Sequence, residues 1–253
     1  MRRLRGWILV LAACQLGGAQ FARAQTEQSG GEVSLSKRPF RVGERLEYAV
    51  RVGPLGRGTA VAEVRSVDTV RGTQVYHTVF KVAGSLLFFG VNDTYESWFD
   101  PITFTSFRYH QDIDQGAYER NRTYEIFADR GVYLDPATKT ELKTVDRPLD
   151  DGAFLYFLRT LPLAVGKTYT FNRYFKPDRN PVRVTVVRKE RVKVPAGEFD
   201  AWVLQPKIKA KGIFAEGANA EVWLQDDDGR AMLQMKTRLA FGSVVFQLKE
   251  RSK

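Results

Sequence analysis

Three consecutive carboxylates, Asp226, Asp227 and Asp228, stand directly before Gly229. Clustered acids can hold a cation, but a calcium loop of the EF-hand type spaces its ligands at alternate positions and closes on a bidentate Glu. Here the acids are adjacent and the next glutamate is Glu250. The flanks, EVWLQ before and RAMLQM after, are both strand-like. Asp-Gly between two apolar runs is a strong hairpin signal. The reading is therefore a hairpin tip, with Asp228-Gly229 as the turn and its acidic neighbours solvated.

Other chemistry-bearing residues are dispersed. His77 and His110 stand in separate segments, and two histidines hold zinc only with further ligands. His77 shares a strand face with Val75 and Val79, which points to a structural histidine. Cys14 is the single cysteine, so the remainder of the chain has no disulfide, thiol nucleophile or Cys-ligated metal. Neither a G-x-S-x-G elbow nor a glycine-rich phosphate loop is present. Glu96, Glu119, Glu125 and Glu221 fall in strand-like segments and could cleave a glycosidic bond only if the fold paired them. No catalytic residue, metal or cofactor is assigned.

Two patterns suggest binding. Lys207, Lys209 and Lys211 recur at every second position, so they project from one face of a strand. Such a stripe suits an anionic surface, and equally the protection of a sheet edge by lysine. Leu86, Leu87, Phe88 and Phe89 form an unbroken apolar run between Gly84 and Gly90, which is either core or an exposed contact patch.

The elements that must position these residues are mostly strands. From Phe40 onward, short segments alternate apolar and polar residues, beginning with Leu46, Tyr48, Val50 and Val52. Gly-Thr, Asp-Pro, Asn-Pro, Pro-Ala-Gly and Asp-Gly punctuate them. The pattern predicts an all-β protein, a large antiparallel sheet curled into an open barrel or sandwich. One segment differs: Asp150 or Asp151 caps a short amphipathic helix at about 150–160, carrying Phe154, Phe157 and Leu158, with Pro162 after it. Its apolar side should pack on the concave side of the sheet.

Residues 1–24 read as a signal peptide, with Arg2, Arg3 and Arg5, an apolar run from Trp7, and a small-residue cleavage site ending at Ala24. The apolar run is shorter than the roughly 18 residues of a membrane span. Leu11 to Cys14 also fits a lipobox, in which Cys14 would be lipidated and anchored to the outer membrane. Loss of residues 1–24 removes four arginines and no acids, lowering the net charge from +10 to +6. An exported basic protein meets anionic lipid or polymer rather than nucleic acid. Residues 25–37 read as a flexible leader and 38–253 as one β domain.

The chain resembles the domain of unknown function 3108 family. The resemblance rests on FRVGERLEYAV at Phe40 to Val50, YESWFDP at Tyr95 to Pro101, and DDGAFLYFLRTLPLAVGKTY at Asp150 to Tyr169. It continues through VPAGEFDAW at Val194 to Trp202 and EVWLQDDDGRAMLQM at Glu221 to Met235. It implies an exported, β-rich protein without an assigned activity, and no functional residue comes with it. The expected function is a periplasmic, non-enzymatic protein that binds a lipid or acyl chain on the concave side of the sheet. The helix would act as lid, and Phe88, Phe89, Trp98, Phe154, Phe157 and Leu158 would contact the ligand. The alternatives are an assembly protein that binds an envelope partner through a sheet edge or apolar patch, and a polysaccharide hydrolase. The oligomeric state is left open.

Overall fold

The computed structural model describes residues 38–54, 56–86, 89–209, 219–239 and 242–252. Among them are fourteen strands in a single antiparallel sheet and one α-helix. The first half is a meander: β1 (Arg45–Val52), β2 (Gly56–Val70), β3 (Thr73–Leu86), β4 (Phe89–Phe99), β5 (Ser106–Gln115), β6 (Tyr118–Phe127), β7 (Val132–Asp135) and β8 (Thr140–Lys143). The helix α1 (Asp151–Leu158) follows. The second half is another meander: β9 (Thr168–Phe171), β10 (Val182–Val194), β11 (Gly197–Lys207), β12 (Glu221–Gln225), β13 (Met232–Leu239) and β14 (Gly242–Ser252). Strand β14 pairs with β1, so the first and last strands meet inside the sheet and β8 and β9 are its two edges.

The sheet is not closed between β8 and β9. A parallel bridge between Leu149 and Tyr174 ties the segments that leave those edges, and the Phe175 amide donates to the Leu149 carbonyl at 3.0 Å. A sheet of this length must curl, because strand twist accumulates from one strand to the next. The alternation then separates an inner from an outer face. In β1, Leu46, Tyr48 and Val50 are buried while their neighbours are partly exposed. Facing them come Ala60 of β2, Leu248 and Phe246 of β14 and Met235 of β13, all buried.

The core is rich in aromatic rings. Tyr124 and Tyr133 pack edge-on to Phe175 at 5.4 and 5.3 Å, and Phe99 stacks on Phe104 at 5.7 Å. Such pairs contribute about 0.5–1.5 kcal/mol each beyond the area they bury. Into this concave side sits α1, apolar all round, with Ala153, Phe154, Tyr156 and Leu158 buried and Leu155 and Phe157 packed against the core. A helix without a polar stripe belongs inside a protein. No helix among the described residues is long and apolar enough to cross a membrane.

Candidate functional site

Helix α1 is fixed at both ends by polar groups taken out of water. Asp150 is its N-cap: one carboxylate oxygen accepts from the Gly152 and Ala153 amides at 2.8 and 3.0 Å. The other accepts from the Ser97 hydroxyl of β4 at 2.7 Å, while the Asp150 amide donates to Ser106 Oγ at 2.9 Å. Burial pushes the Asp150 carboxyl up to about 7, against the lowering effect of the donors around it. Asp151 takes hydrogen bonds from the hydroxyls of Tyr109 (3.0 Å) and Tyr174 (3.1 Å), and burial raises its pKa as well. Gly152 completes the Asp-Asp-Gly pattern for a steric reason. A Cβ there would stand 2.7 Å from the Ser97 Cβ, so only glycine lets the helix start this close to β4.

The other end is held by Arg159, whose side chain is 4% exposed, against Glu44 at 5%. The guanidinium donates to both carboxylate oxygens at 2.5 and 2.9 Å, and to the carbonyls of Pro39 and Gly229 at 2.9 and 2.7 Å. It lies over the rings of Phe40 (5.1 Å) and Tyr156 (5.8 Å). Arg230 donates to the Arg159 and Leu161 carbonyls. The acidic hairpin is thus a turn, with Asp227 accepting from the Arg230 amide at 2.7 Å, and it is also part of the helix anchor. Asp226 is engaged too, accepting from Trp202 Nε1 and Lys189 Nζ at 2.6 Å each.

Between the anchors a recess opens under the helix. Its walls are Tyr48, Ala62, Phe80 and Tyr95 of the first meander, Val222, Leu224 and Met232 of the second, and Leu155 and Tyr156 of α1. Nearly all of its exposed surface is carbon. With its open mouth counted in, the recess measures ≈ 530 Å³, of which ≈ 40 Å³ admits the centre of a water-sized sphere. A single water needs about 10–15 Å³ on that second measure. The space is therefore narrow, shaped for a slim apolar group.

This redraws the set of residues expected from sequence. Phe154 and Leu158 are buried in the core, and Phe157 packs on Phe104 and Phe171. The helix face turned to the recess carries Leu155 and Tyr156 instead. Trp98 is on the outer face, because Ser97 and Phe99 beside it point inward. It stacks on His77 at 4.3 Å and donates to Asp68 at 2.8 Å. Phe88 lies outside the described residues, as do the Phe89 side chain, Lys211, Cys14 and Ala24. Lys207 faces outward opposite Arg183, and Lys209 stands in an exposed bend. The strand that ends at Lys207, β11, lies between β10 and β12, although pairing with β12 ends at Leu204.

His77 is buried between Glu96 (3.0 Å) and Asp68 (3.4 Å), and His110 shares a hydrogen bond with Thr123 at 2.8 Å. Glu125 pairs with Arg71 and Arg108, and Glu221 with Arg188, while Glu119 is exposed opposite Asp114. These glutamates lie on the outer face, and all but Glu119 are committed to cationic partners. Among the described residues no group of three His, Cys, Asp or Glu side chains is placed to hold a metal ion.

Residues 47–249 match the family described as "Protein of unknown function (DUF3108)". The chain belongs to this DUF3108 family. No curated protein matches it. Among solved structures it is similar to a β-barrel-like protein of the DUF1849 family from Brucella abortus, at 12% identity and a TM-score of 0.58. That match covers 83% of this chain and 96% of the other, and it establishes a shared fold. The hypothetical protein CT021 from Chlamydia trachomatis also matches, at 8% identity and a TM-score of 0.35, over 84% of this chain and 87% of its own.

Proposed function

We propose that this DUF3108 protein is an exported, non-enzymatic binding protein that holds the apolar chain of a lipid in the recess beneath α1. The recess itself carries the reading. It is carbon-lined, open on one side, and roofed by a helix whose polar attachments are at its two ends. Small-molecule sites are commonly apolar clefts with a few polar groups at the rim, and the half-buried Tyr95 supplies such a group here. Since the helix middle is held by packing, a modest outward shift would widen the narrow space without breaking either anchor. Export rests on residues 1–24, and it places the protein where lipid is the abundant apolar ligand.

The test is native mass spectrometry of the chain, produced from its full-length gene in a bacterial host and purified without detergent, with lipid extraction in parallel. A lipid adduct that disappears in Leu155→Asp, while Val165→Asp on the exposed surface keeps it, is the expected result. An apo mass in every preparation, together with failure to take up added lipid, would refute the reading. Peptide mapping of the envelope fraction gives the mature N-terminus, expected at Gln25, or at a lipidated Cys14 if the lipobox is used.

A further inference from the structure

The inner face of the sheet changes character along one cross-strand row. Ala62 of β2 pairs with Phe80 of β3, Phe80 with Tyr95 of β4, Tyr95 with Gln111 of β5, and Gln111 with Arg122 of β6. Ala62, Phe80 and Tyr95 line the recess. Three strand spacings of about 4.7–4.9 Å separate Phe80 from Arg122, so the row runs from carbon to a fixed cation over roughly 14 Å.

Arg122 has company. Arg120, two residues earlier on the same face, lies over the Tyr118 ring at 5.3 Å and acts electrostatically on the Tyr95 hydroxyl. Lys176 Nζ reaches the Tyr124 hydroxyl at 3.2 Å, and Arg122, two residues from Tyr124 on the same face, acts electrostatically on that phenol. Arg179 donates to the Tyr174 hydroxyl at 3.3 Å. Among the described residues none of the four closes an ion pair, whereas Arg65, Arg108 and Arg188 on the outer face, Arg71 in the β2–β3 turn and Arg130 in the turn after β6 all do. On the inner side Asp151 acts electrostatically on Lys176 and Arg179 and Asp93 stands beside Tyr95, while Asp135 and Asp178 act on Arg122 and Arg179 from the rim. Cations resting on phenols, with no carboxylate at ion-pair distance, keep hydrogen-bond donors for an incoming anion.

We infer that the recess takes a long-chain fatty acid, with its alkyl chain along Ala62, Phe80 and Tyr95 under Leu155 and its carboxylate on Arg122 and Lys176. The inference rests on the lipid-binding reading above and adds the head group, its charge and its position. A single chain is favoured over a two-chain lipid by the narrowness of the space. The negative head is favoured by charge complementarity with the far end of the row.

The experiment titrates the full chain with palmitate and with hexadecanol, which shares the chain and lacks the charge. Palmitate should bind at least tenfold tighter at low salt, with the gap shrinking as salt screens the head group. Arg122→Gln with Lys176→Gln should reduce palmitate affinity to the hexadecanol level and leave hexadecanol unchanged. Arg122→Lys, which keeps the charge, should retain palmitate and serves if the double variant folds poorly. Equal affinity for the two ligands, unchanged in the variants, would overturn the inference and leave the recess reading standing. Binding of neither would overturn both.

Discussion

Replacing Glu44 by Gln removes the charge that Arg159 was buried against, and the structure sets the size of the effect. Both side chains are at most 5% exposed and the contact is bidentate. Breaking such a pair on one side typically costs about 3–5 kcal/mol, because the remaining charge has no water to return to. Two features pull the estimate toward the lower bound: Arg159 keeps the carbonyls of Pro39 and Gly229, and it keeps two aromatic faces. One feature pulls it up. Arg251 Nη2 stands 3.6 Å from the same carboxylate, so Glu44→Gln leaves two guanidinium groups close to one neutral amide. The expected loss is about 3 kcal/mol, a large share of the roughly 5–15 kcal/mol that holds a domain folded.

Urea unfolding measures it, as a lower midpoint at unchanged slope. Glu141→Gln, which removes the exposed partner of Arg130 (50% and 44% exposed), should cost less than about 1 kcal/mol. Adding Arg159→Met to Glu44→Gln should recover part of the loss, since the stranded charge goes with it. If Glu44→Gln costs no more than Glu141→Gln, the claim that this pair anchors the helix is wrong.

The remaining predictions concern the other anchor and the sheet. The Asp150 carboxyl binds its proton more tightly folded (about 7) than unfolded (near 3.8), so the folded state holds more protons between those values and stability falls as pH rises through that window. The fall attributable to it is at most about 4 kcal/mol at roughly 1.4 kcal/mol per pH unit, and Asp150→Asn should flatten the wild-type trend in urea midpoints between pH 4.5 and 7.5; a parallel trend in the variant would refute the assignment. Gly152→Ala brings a methyl within 2.7 Å of the Ser97 Cβ. It should push the helix start off β4, raise amide exchange at Ala153 and Phe154, and lower lipid uptake, so an unchanged exchange rate would show that the contact is not limiting. Gly58→Ala would place a Cβ 2.4 Å from the Ala83 carbonyl oxygen and should lower stability by about 1–3 kcal/mol. Gly90→Ala, with nothing within 4 Å, should lie within about 0.5 kcal/mol of wild type, both read by urea unfolding.

The strands were legible because the inner face imposes a period of two, as Leu46, Tyr48 and Val50 show. The hairpin at Asp228-Gly229 was legible because the turn chemistry is local. The helix was readable from its cap and apolar residues, since an N-cap needs only Asp150 and the two amides that follow. Its orientation was not, because which of Leu155, Phe157 or Phe154 meets the recess depends on strands far away in sequence. The pairing of Arg159 with Glu44 spans 115 positions and has no local signature. Trp98 illustrates the same limit: an aromatic residue on a strand can pack inside or stack outside, and the deciding neighbours, Asp68 and His77, come from other strands. The cationic end of the inner face was missed because Arg120 and Arg122 look like ordinary solvated charges until the register places them beside Gln111 and Tyr95.

The pairing of β1 with β14 has a consequence for how the protein is made. Each half-sheet grows by hairpins between consecutive strands, which close quickly because their loops are short. Joining the halves requires residues about two hundred positions apart to meet, the slow kind of contact in folding. Until the last strand emerges, β1 stays an open template with its inner residues uncovered, a state prone to wrong pairing. The eleven residues of β14 therefore act as the zip that joins the two half-sheets. Chains that stop short of them should accumulate as two unlatched halves, and a chaperone that shields the β1 edge would be needed most in the interval before they arrive.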